Sequence, residues 1–445
     1  MTNLFGHSVR SELLLLSVTE ALVCFTAFTL ILHFGLPAGT MADAGASLVL
    51  AGILAICASF AVAATGLYHP SNSLRAVRLV AGALLGGMLL AVVAPVAAAL
   101  LTHLPDQGRH MGVARLVLAF ICAVVLTRAA FFVALRTGLL RMRLAILPGP
   151  RTDGLRARLA TDPFYDVVDS IPPRLEAGTP PSLRRWLGLR PLLAVVTDDP
   201  QAVPAAERER LHALSIPLWT SARFSERALG QVDLATLPGS WPHMHAARAP
   251  GLADGLHRGL DILLALLLIL LTLPVLVLTA IAIKLDSRGP ILYRQERVGL
   301  NGRIFTLYKF RSMGVDAEAS GAVWARQDDP RVTRVGRIIR LLRIDEIPQV
   351  LNVLRGDMAF VGPRPERPEF VARLAAAIPH YEVRAQVKPG ITGWAQVNYP
   401  YGASLEDARM KLTYDLYYVR RRSLFLDLLI IVATVRVVLF QEGSR

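Results

Sequence analysis

Arg258-Gly-Leu-Asp261-Ile-Leu-Leu-Ala-Leu-Leu-Leu-Ile-Leu-Leu-Thr-Leu-Pro274-Val-Leu-Val-Leu-Thr-Ala-Ile-Ala-Ile283-Lys284 decides how the second half of this chain meets a membrane. The 22 residues from Ile262 to Ile283 carry no charge and are long enough to cross a hydrocarbon core as a helix. Pro274 stands near the middle, where it removes one helical hydrogen bond and is expected to break or bend the helix. Bases crowd both flanks, with Arg258 before the segment and Lys284, Arg288, Arg294 and Arg297 after it. A single crossing would put an arginine-rich half outside, against the tendency of basic flanks to stay cytoplasmic. A helix over 260–283 that dips in, turns at Pro274 and returns satisfies both constraints, so a re-entrant hairpin is expected.

The rest of the composition agrees with a membrane protein. Of 445 residues, 53% are hydrophobic, and the mean hydropathy is positive. Four further apolar segments fill the first third, at about 13–34, 46–66, 77–101 and 113–135, each long enough to span. Arg10 precedes the first, Arg75 and Arg78 separate the second from the third, and Arg136, Arg141 and Arg143 follow the fourth. The loop near 37–45 has no base and the one near 102–112 only Arg109, so both ends of the four-helix unit are expected on the cytoplasmic side. Arg128 is expected to snorkel from its helix, and no paired charges are expected among the apolar centres. Cys24, Cys57 and Cys122 each lie in an apolar run and read as buried small hydrophobes rather than a disulfide or metal framework.

Composition changes at Arg141. Residues 141–250 carry short apolar runs, Leu144–Leu147 and Leu192–Val196, that read as strands of a small α/β domain. Leu147-Pro148-Gly149-Pro150 falls where a dinucleotide fold would carry its glycine fingerprint, yet the other glycines are missing and two prolines remove donors. Nucleotide binding is therefore not expected there. Pro238–Gly255 reads as a linker, and His243 and His245 within it as surface residues.

The formal net charge is +14, and from Lys284 to Ile344 there are 13 bases against 6 acids. Over Val332–Arg343 the positions Val332, Val335, Ile338, Ile339 and Leu342 fall on one arc of roughly 120°, with Arg334, Arg337, Arg340 and Arg343 opposite. Such a basic amphipathic helix suits an interface rich in anionic lipid. Nucleic acid is not expected, because no stacking aromatics or recognition motif accompany the arginines. Pro348 should end this helix near Asp345 and Glu346 and open another over about 348–354. The two acids then stand at a helix junction, ringed by Lys309, Arg311, Arg340 and the guanidinium of Gly362-Pro363-Arg364-Pro365. Adjacent acids are commonly a solvated helix end. Here carboxylates among cations at a membrane surface fit phosphoryl transfer with a divalent metal.

The second half resembles a known family. Leu292–Leu300, Tyr308–Met313, Asp345–Asp357, Val361–Glu366 and Lys388–Asn398 are similar, in order, to the bacterial sugar transferase domain of the polyprenyl-phosphate hexose-1-phosphate transferases, the monotopic phosphoglycosyl transferases. The front end and middle resemble the large, three-part members. The resemblance implies transfer of sugar-1-phosphate from a UDP-sugar, glucose or galactose, to undecaprenyl phosphate with release of UMP. It implies Asp345 as nucleophile of a ping-pong reaction and Glu346 as its partner, both near Mg²⁺ or Mn²⁺. Lys309, Arg340, Arg364 and Arg311 are then expected around phosphate, and Pro363, Pro365, Lys388, Gly393 and Gln396 around the donor. Trp394 fits a structural role equally well. In this family the hairpin commonly breaks at Ser-Pro, whereas Leu273 precedes Pro274 here.

The expected fold is a membrane α plus α/β protein: a four-helix transmembrane bundle over 1–140, a small Rossmann-like α/β domain over 141–250, and a mainly α catalytic domain over 251–445 with a re-entrant helix hairpin and interfacial amphipathic helices. The last segment, Leu424–Phe440, is expected to lie on the membrane. The expected place is a bacterial inner membrane with the catalytic domain on the cytoplasmic face, and a homo-oligomer is open. A non-catalytic scaffold for polysaccharide assembly and a nicotinamide-dependent sugar-nucleotide enzyme are the alternatives.

Overall fold

A computed structural model describes residues 2–4, 7–34, 44–68, 75–101, 106–168, 192–238, 251–315, 317, 329–400, 402 and 404–440. His243 and His245 lie outside the described residues. The chain divides into two compact units, Met1–Leu4 with Ser8–Leu229, and Phe5–His7 with Gly230–Arg445. Among the described residues, five helices are long and apolar enough to cross a membrane.

The first unit opens with four of them, α1 (Ser11–Phe34), α2 (Ala44–Ala64), α3 (Ala76–Leu101) and α4 (Asp106–Arg136). They share one core in which Phe28, Leu54, Leu90 and Phe120 are almost fully buried, while Leu22, Ile56, Met88 and Leu126 face outward. Outward leucines on helices of this length are what a lipid environment tolerates. Arg128 corrects the snorkelling expectation. Its guanidinium turns inward and donates to both oxygens of Glu20 at 2.7 and 3.1 Å and to the Leu67 carbonyl at 2.7 Å. Tyr68 and Thr127 also donate to Glu20. An acid and a base inside apolar helices have therefore found each other, because neither can be buried alone. Glu20→Ala, which strands Arg128, should cost about 3–5 kcal/mol and lower the melting temperature in detergent, with Arg128→Met restoring part of the loss.

The same unit continues into β1 (Met142–Ile146), α5 (Thr152–Ala160), β2 (Tyr165–Val168), β3 (Leu192–Thr197), α6 (Ala205–Ala213) and β4 (Leu218–Thr220). The strands form one parallel sheet in the order β2-β1-β3-β4. Ala145, Ala194 and Val195 are fully buried, as expected of parallel strands covered on both faces. Where the order reverses, an open α/β sheet commonly binds its ligand. Here the Asp198 carboxylate sits there and accepts the Arg151 amide at 2.9 Å, at the start of α5. The Gly149 approach is filled too, since a Cβ there would meet Asp198 at 2.5 Å.

The second unit begins with α7 (Leu252–Asp286), a single helical element containing Pro274. Helical structure runs through Pro274 without a change of element, because one lost hydrogen bond does not end a helix with many others on either side. The two ends of α7 are fixed by polar contacts. Near its start His257 Nδ1 meets Asp427 at 2.7 Å, Asp261 accepts the Phe360 amide at 2.7 Å, and Arg258 donates to the Val353 and Leu354 carbonyls. At its end Asp286 accepts the Val335 amide at 3.1 Å. Between them Leu270, Leu271 and Leu278 are exposed.

There follow the antiparallel hairpin β5 (Leu292–Val298) and β6 (Ile304–Phe310), α8 (Arg334–Leu341), α9 (Val350–Arg355), β7 (Ala359–Val361), α10 (Pro368–Ala377), β8 (Gly390–Thr392), α11 (Trp394–Asn398), α12 (Leu405–Arg421) and α13 (Leu424–Leu439). Thr333 caps α8 by accepting the Gly336 amide. The apolar arc of α8 divides: Ile339 is buried, whereas Ile338 and Leu342 are exposed together with Leu341. In α13 the charged Asp427 and Arg436 are buried, Arg436 donating to the Val397 carbonyl, and Leu428 and Leu429 are exposed.

Candidate active site

Helix α8 does not stop because of Pro348. It stops at Arg343, whose backbone is left-handed at φ 58°, a conformation that costs a non-glycine residue about 1–3 kcal/mol. The chain then makes a tight 3₁₀ turn over Ile344–Gln349, with Pro348 inside it, before α9 begins. Asp345 and Glu346 therefore stand at a helix junction, as the prolines suggested, but on a turn rather than on a helix start. Below them Asn352 is fully buried and knits the turn to β6, accepting the Tyr308 amide at 3.1 Å and donating to the Thr306 carbonyl at 2.7 Å.

The two acids have opposite surroundings. Glu346 is gripped by three cations: Arg364 at 2.8 Å, Lys309 at 3.3 Å and Arg343 at 3.6 Å. Burial works to raise its carboxyl, but Arg364 and Lys309 outweigh this and hold it well below the usual carboxylate range. Asp345 is 8% exposed, and its Oδ1 has no hydrogen-bond partner among the described residues. Burial, and then the Glu346 charge, push the Asp345 carboxyl up to about 6. One acid is neutralised in place and the other is left with an uncommitted oxygen.

Both line a cavity of about 1380 Å³ with Lys309, Arg340, Arg343 and Arg364. Lys309 shares a strand face with the buried Leu307, which aims it inward; burial lowers its ammonium and Glu346 opposes this. Arg340, half-buried at the end of α8, draws Asp345 toward ionisation through its charge alone. Arg311 lines the cavity as well, and its guanidinium donates to the Ser287 and Arg288 carbonyls at 2.8 and 2.9 Å, which ties down the exit of α7.

The expected donor residues also divide. Only Gln396 lines the cavity. Pro363, Pro365 and Gly393 build the turn that presents Arg364. Gly362, Gly390 and Gly393 are stacked so closely that a Cβ on Gly362 would lie 2.3 Å from the Lys388 carbonyl, and one on Gly393 2.2 Å from the Gly362 carbonyl. The Gly362 amide donates to Thr392 at 2.8 Å and the Gly390 amide to Pro363 at 3.0 Å. Lys388 contributes its backbone to this packing, and its side chain lies near Gly356, where α9 ends. Trp394 is structural: its indole donates to the Gly230 carbonyl and stacks on Tyr417.

Three further arginines, none of them expected at the acid pair, take part in the site. Arg343 reaches Glu346 from three positions back, a spacing that could have been noticed. Arg297 and Arg384 hold backbone carbonyls of the Pro-Arg-Pro turn, Pro365 at 3.0 Å and Arg364 at 2.9 Å, and no local pattern signals an arginine whose acceptor is a distant carbonyl.

Among the described residues, five long apolar helices mark a membrane-associated protein, and the acid pair lies in a cation-lined cavity with Asp345 buried and Glu346 half-buried. Residues 252–441 match the family model described as bacterial sugar transferase. The UDP-N-acetylgalactosamine-undecaprenyl-phosphate N-acetylgalactosaminephosphotransferase of Aeromonas hydrophila is 43% identical over 261 residues, 57% of this chain and 60% of that protein. The UDP-glucose:undecaprenyl-phosphate glucose-1-phosphate transferases of Escherichia coli and Caulobacter vibrioides are 44% and 46% identical, over 40% and 42% of this chain and 39% and 71% of theirs. The chain thus spans under two thirds of the length of the Aeromonas and Escherichia proteins. It belongs to the bacterial sugar transferase family, the polyprenyl-phosphate hexose-1-phosphate transferases.

Proposed function

We propose that this protein transfers sugar-1-phosphate from a UDP-sugar to undecaprenyl phosphate, the first membrane step in building a surface polysaccharide. The observation that carries the reading is the contrast within the acid pair: Glu346 saturated by cations, Asp345 with a free buried oxygen facing a cavity large enough for a nucleotide sugar. In the proposed reaction a carboxylate oxygen of Asp345 attacks the sugar-bearing phosphorus, the bond to the bridging oxygen breaks, and UMP departs. A phosphate oxygen of the lipid then attacks the same phosphorus and the Asp345 carboxylate is released. A covalent step lets one site serve a water-soluble donor and a lipid acceptor in turn. Lys309, Arg340 and Arg364 neutralise phosphate charge on the way.

Among the described residues no group of three or more acids, histidines or cysteines could hold a metal. Mg²⁺ usually takes one or two carboxylates plus substrate phosphates, and the unpartnered Asp345 oxygen fits that role. Glu346, with three cations on it, does not. Bound there with the donor, Mg²⁺ or Mn²⁺ would supply further neutralisation of the diphosphate.

The protein is proposed to lie in the bacterial inner membrane with residues 251–445 on the cytoplasmic face, 1–140 as its anchor and 141–250 without a nucleotide role. A re-entrant α7 is supported by where its ends pack. Ala265 sits in the cluster of Leu307 and Val353, and Ile283 in that of Phe310 and Ile339. A straight helix would separate Ala265 and Ile283 by about 27 Å. Leu307 and Phe310 are only about 10 Å apart along β6, which favours a bend. The exposed Ile338, Leu341 and Leu342 beside Arg334 and Arg337 favour contact with an anionic membrane surface.

The relatives' names carry glucose and N-acetylgalactosamine, so the test offers purified protein, Mg²⁺ and undecaprenyl phosphate with UDP-glucose, UDP-galactose or UDP-N-acetylgalactosamine. UMP should appear with at least one donor. Its absence with all three would sink the reading.

A further inference from the structure

The Gly-Pro-Arg-Pro turn cannot hold itself by its own amides, because two of its four residues lack an N–H. Its carbonyls are instead held from outside, one after another. Pro363 accepts the Gly390 amide, Arg364 accepts Arg384, and Pro365 accepts Arg297. Two of the three holders are side chains, and both are arginines.

Arg384 is the better anchored. It lies in the turn after α10, and its Nη2 donates to the Arg364 carbonyl at 2.9 Å. The same Nη2 and Nε donate to Oδ2 of Asp415 at 2.7 and 3.0 Å, and Nη1 reaches the Tyr381 hydroxyl at 3.2 Å. Asp415, 2% exposed on α12, makes this a buried ion pair. A pair so placed is an uneconomical way to stabilise a core, since desolvation offsets much of its attraction. It is an effective way to fix a direction, because the planar guanidinium holds its acid and the turn in one geometry. The Arg364 side chain leaves that same residue in the other direction and meets Glu346 at 2.8 Å.

From this geometry we infer that Arg384, aimed by Asp415, is a positioning residue: it fixes the backbone of Arg364 and thereby the guanidinium that clamps Glu346 beside Asp345. It touches neither acid. Arg297 performs the equivalent task one carbonyl further on. The consequence for the transferase reading is that the division between a clamped Glu346 and an uncommitted Asp345 depends on groups that act through the Arg364 backbone rather than on either acid.

The test has one arm that needs no turnover. Phenylglyoxal modifies guanidinium groups, and peptide mass spectrometry gives the modification rate of Arg364 alone. In Arg384→Lys the charge facing Asp415 is kept, but a point donor cannot hold the acid and the Arg364 carbonyl together, so Arg364 should be modified several-fold faster than in wild type. Asp415→Asn, which leaves Arg384 present but unaimed, should move the rate the same way. It is the second variant should Arg384→Lys fold poorly. In the turnover arm, UMP release should fall about 10-fold or more in Arg384→Lys. In an Arg364→Ala background the same change should cost almost nothing, because its effect passes through Arg364. An unchanged Arg364 modification rate would overturn the inference, as would a cost that persists in full in the Arg364→Ala background. The inference rests on the transferase reading only in the turnover arm: a wild type that releases no UMP would count against that reading, and the labelling would still decide the positioning role.

Discussion

Asp345→Asn is expected to abolish UMP release, by a factor of at least about 10³, while leaving the protein folded and able to bind UDP. The amide is nearly isosteric but cannot attack phosphorus, so the phosphosugar–enzyme species that wild type forms with donor alone should be missing from the variant. Wild-type turnover by the variant would remove Asp345 from the nucleophile's role. A second expectation follows from the same burial. The Asp345 carboxyl is pushed up to about 6, so the attacking carboxylate is depleted below that pH and donor turnover should rise through pH 6 to a plateau. For stability the sign is the reverse. A carboxyl whose folded value lies above its unfolded value contributes most when protonated, below about pH 4, and that contribution is lost as pH rises through 6. Above pH 6 the ionised, 8% exposed group costs roughly 3 kcal/mol. Asp345→Asn should therefore melt higher than wild type at pH 8 and about equal to it near pH 4. A variant that melts lower at pH 8 would contradict the assigned environment.

That combination of inactivity and added stability separates a functional acid from the solvated helix end that two adjacent acids more commonly mark. The sequence itself could go only part of the way. Long apolar helices are legible from length alone, and the Leu192–Val196 run is a strand wherever a sheet can cover both its faces. Asp345 and Glu346 are legible as a site because a proline and a run of arginines bracket them. Their difference is not, since it arises from Arg364, eighteen residues on, choosing Glu346. Glu20 and Arg128 stand 108 positions apart in separate apolar runs, and only packing of α1 on α4 makes them partners. Arg311 lines the same cavity, yet its guanidinium is spent on the Ser287 and Arg288 carbonyls at the exit of α7. The common cause is that acceptors belonging to the backbone, or to a distant helix, leave no trace in local spacing.

Gly362→Ala carries the second large effect, and it involves no chemical group at all. The new Cβ would lie 2.3 Å from the Lys388 carbonyl and 2.9 Å from the Gly390 amide, distances that real Cβ atoms do not adopt against backbone. Neither neighbour can give way cheaply. The Gly390 amide is held by Pro363, the Gly362 amide by Thr392, and the Arg364 carbonyl by Arg384. Strand β8 or the turn must therefore shift, and the turn carries Arg364 with it. A displacement of about 1 Å at a positioning group can cost a factor on the order of 10² in rate. The expected result is a fall of that size in UMP release together with a lowered melting temperature. Gly259 provides the contrast: nothing lies within 4 Å of a Cβ built there, and it sits inside α7. Gly259→Ala should keep full turnover and gain up to about 1 kcal/mol from helix propensity. Wild-type turnover in Gly362→Ala would mean that the turn tolerates movement, and that Arg364 is not held in place by the glycine stack beneath it.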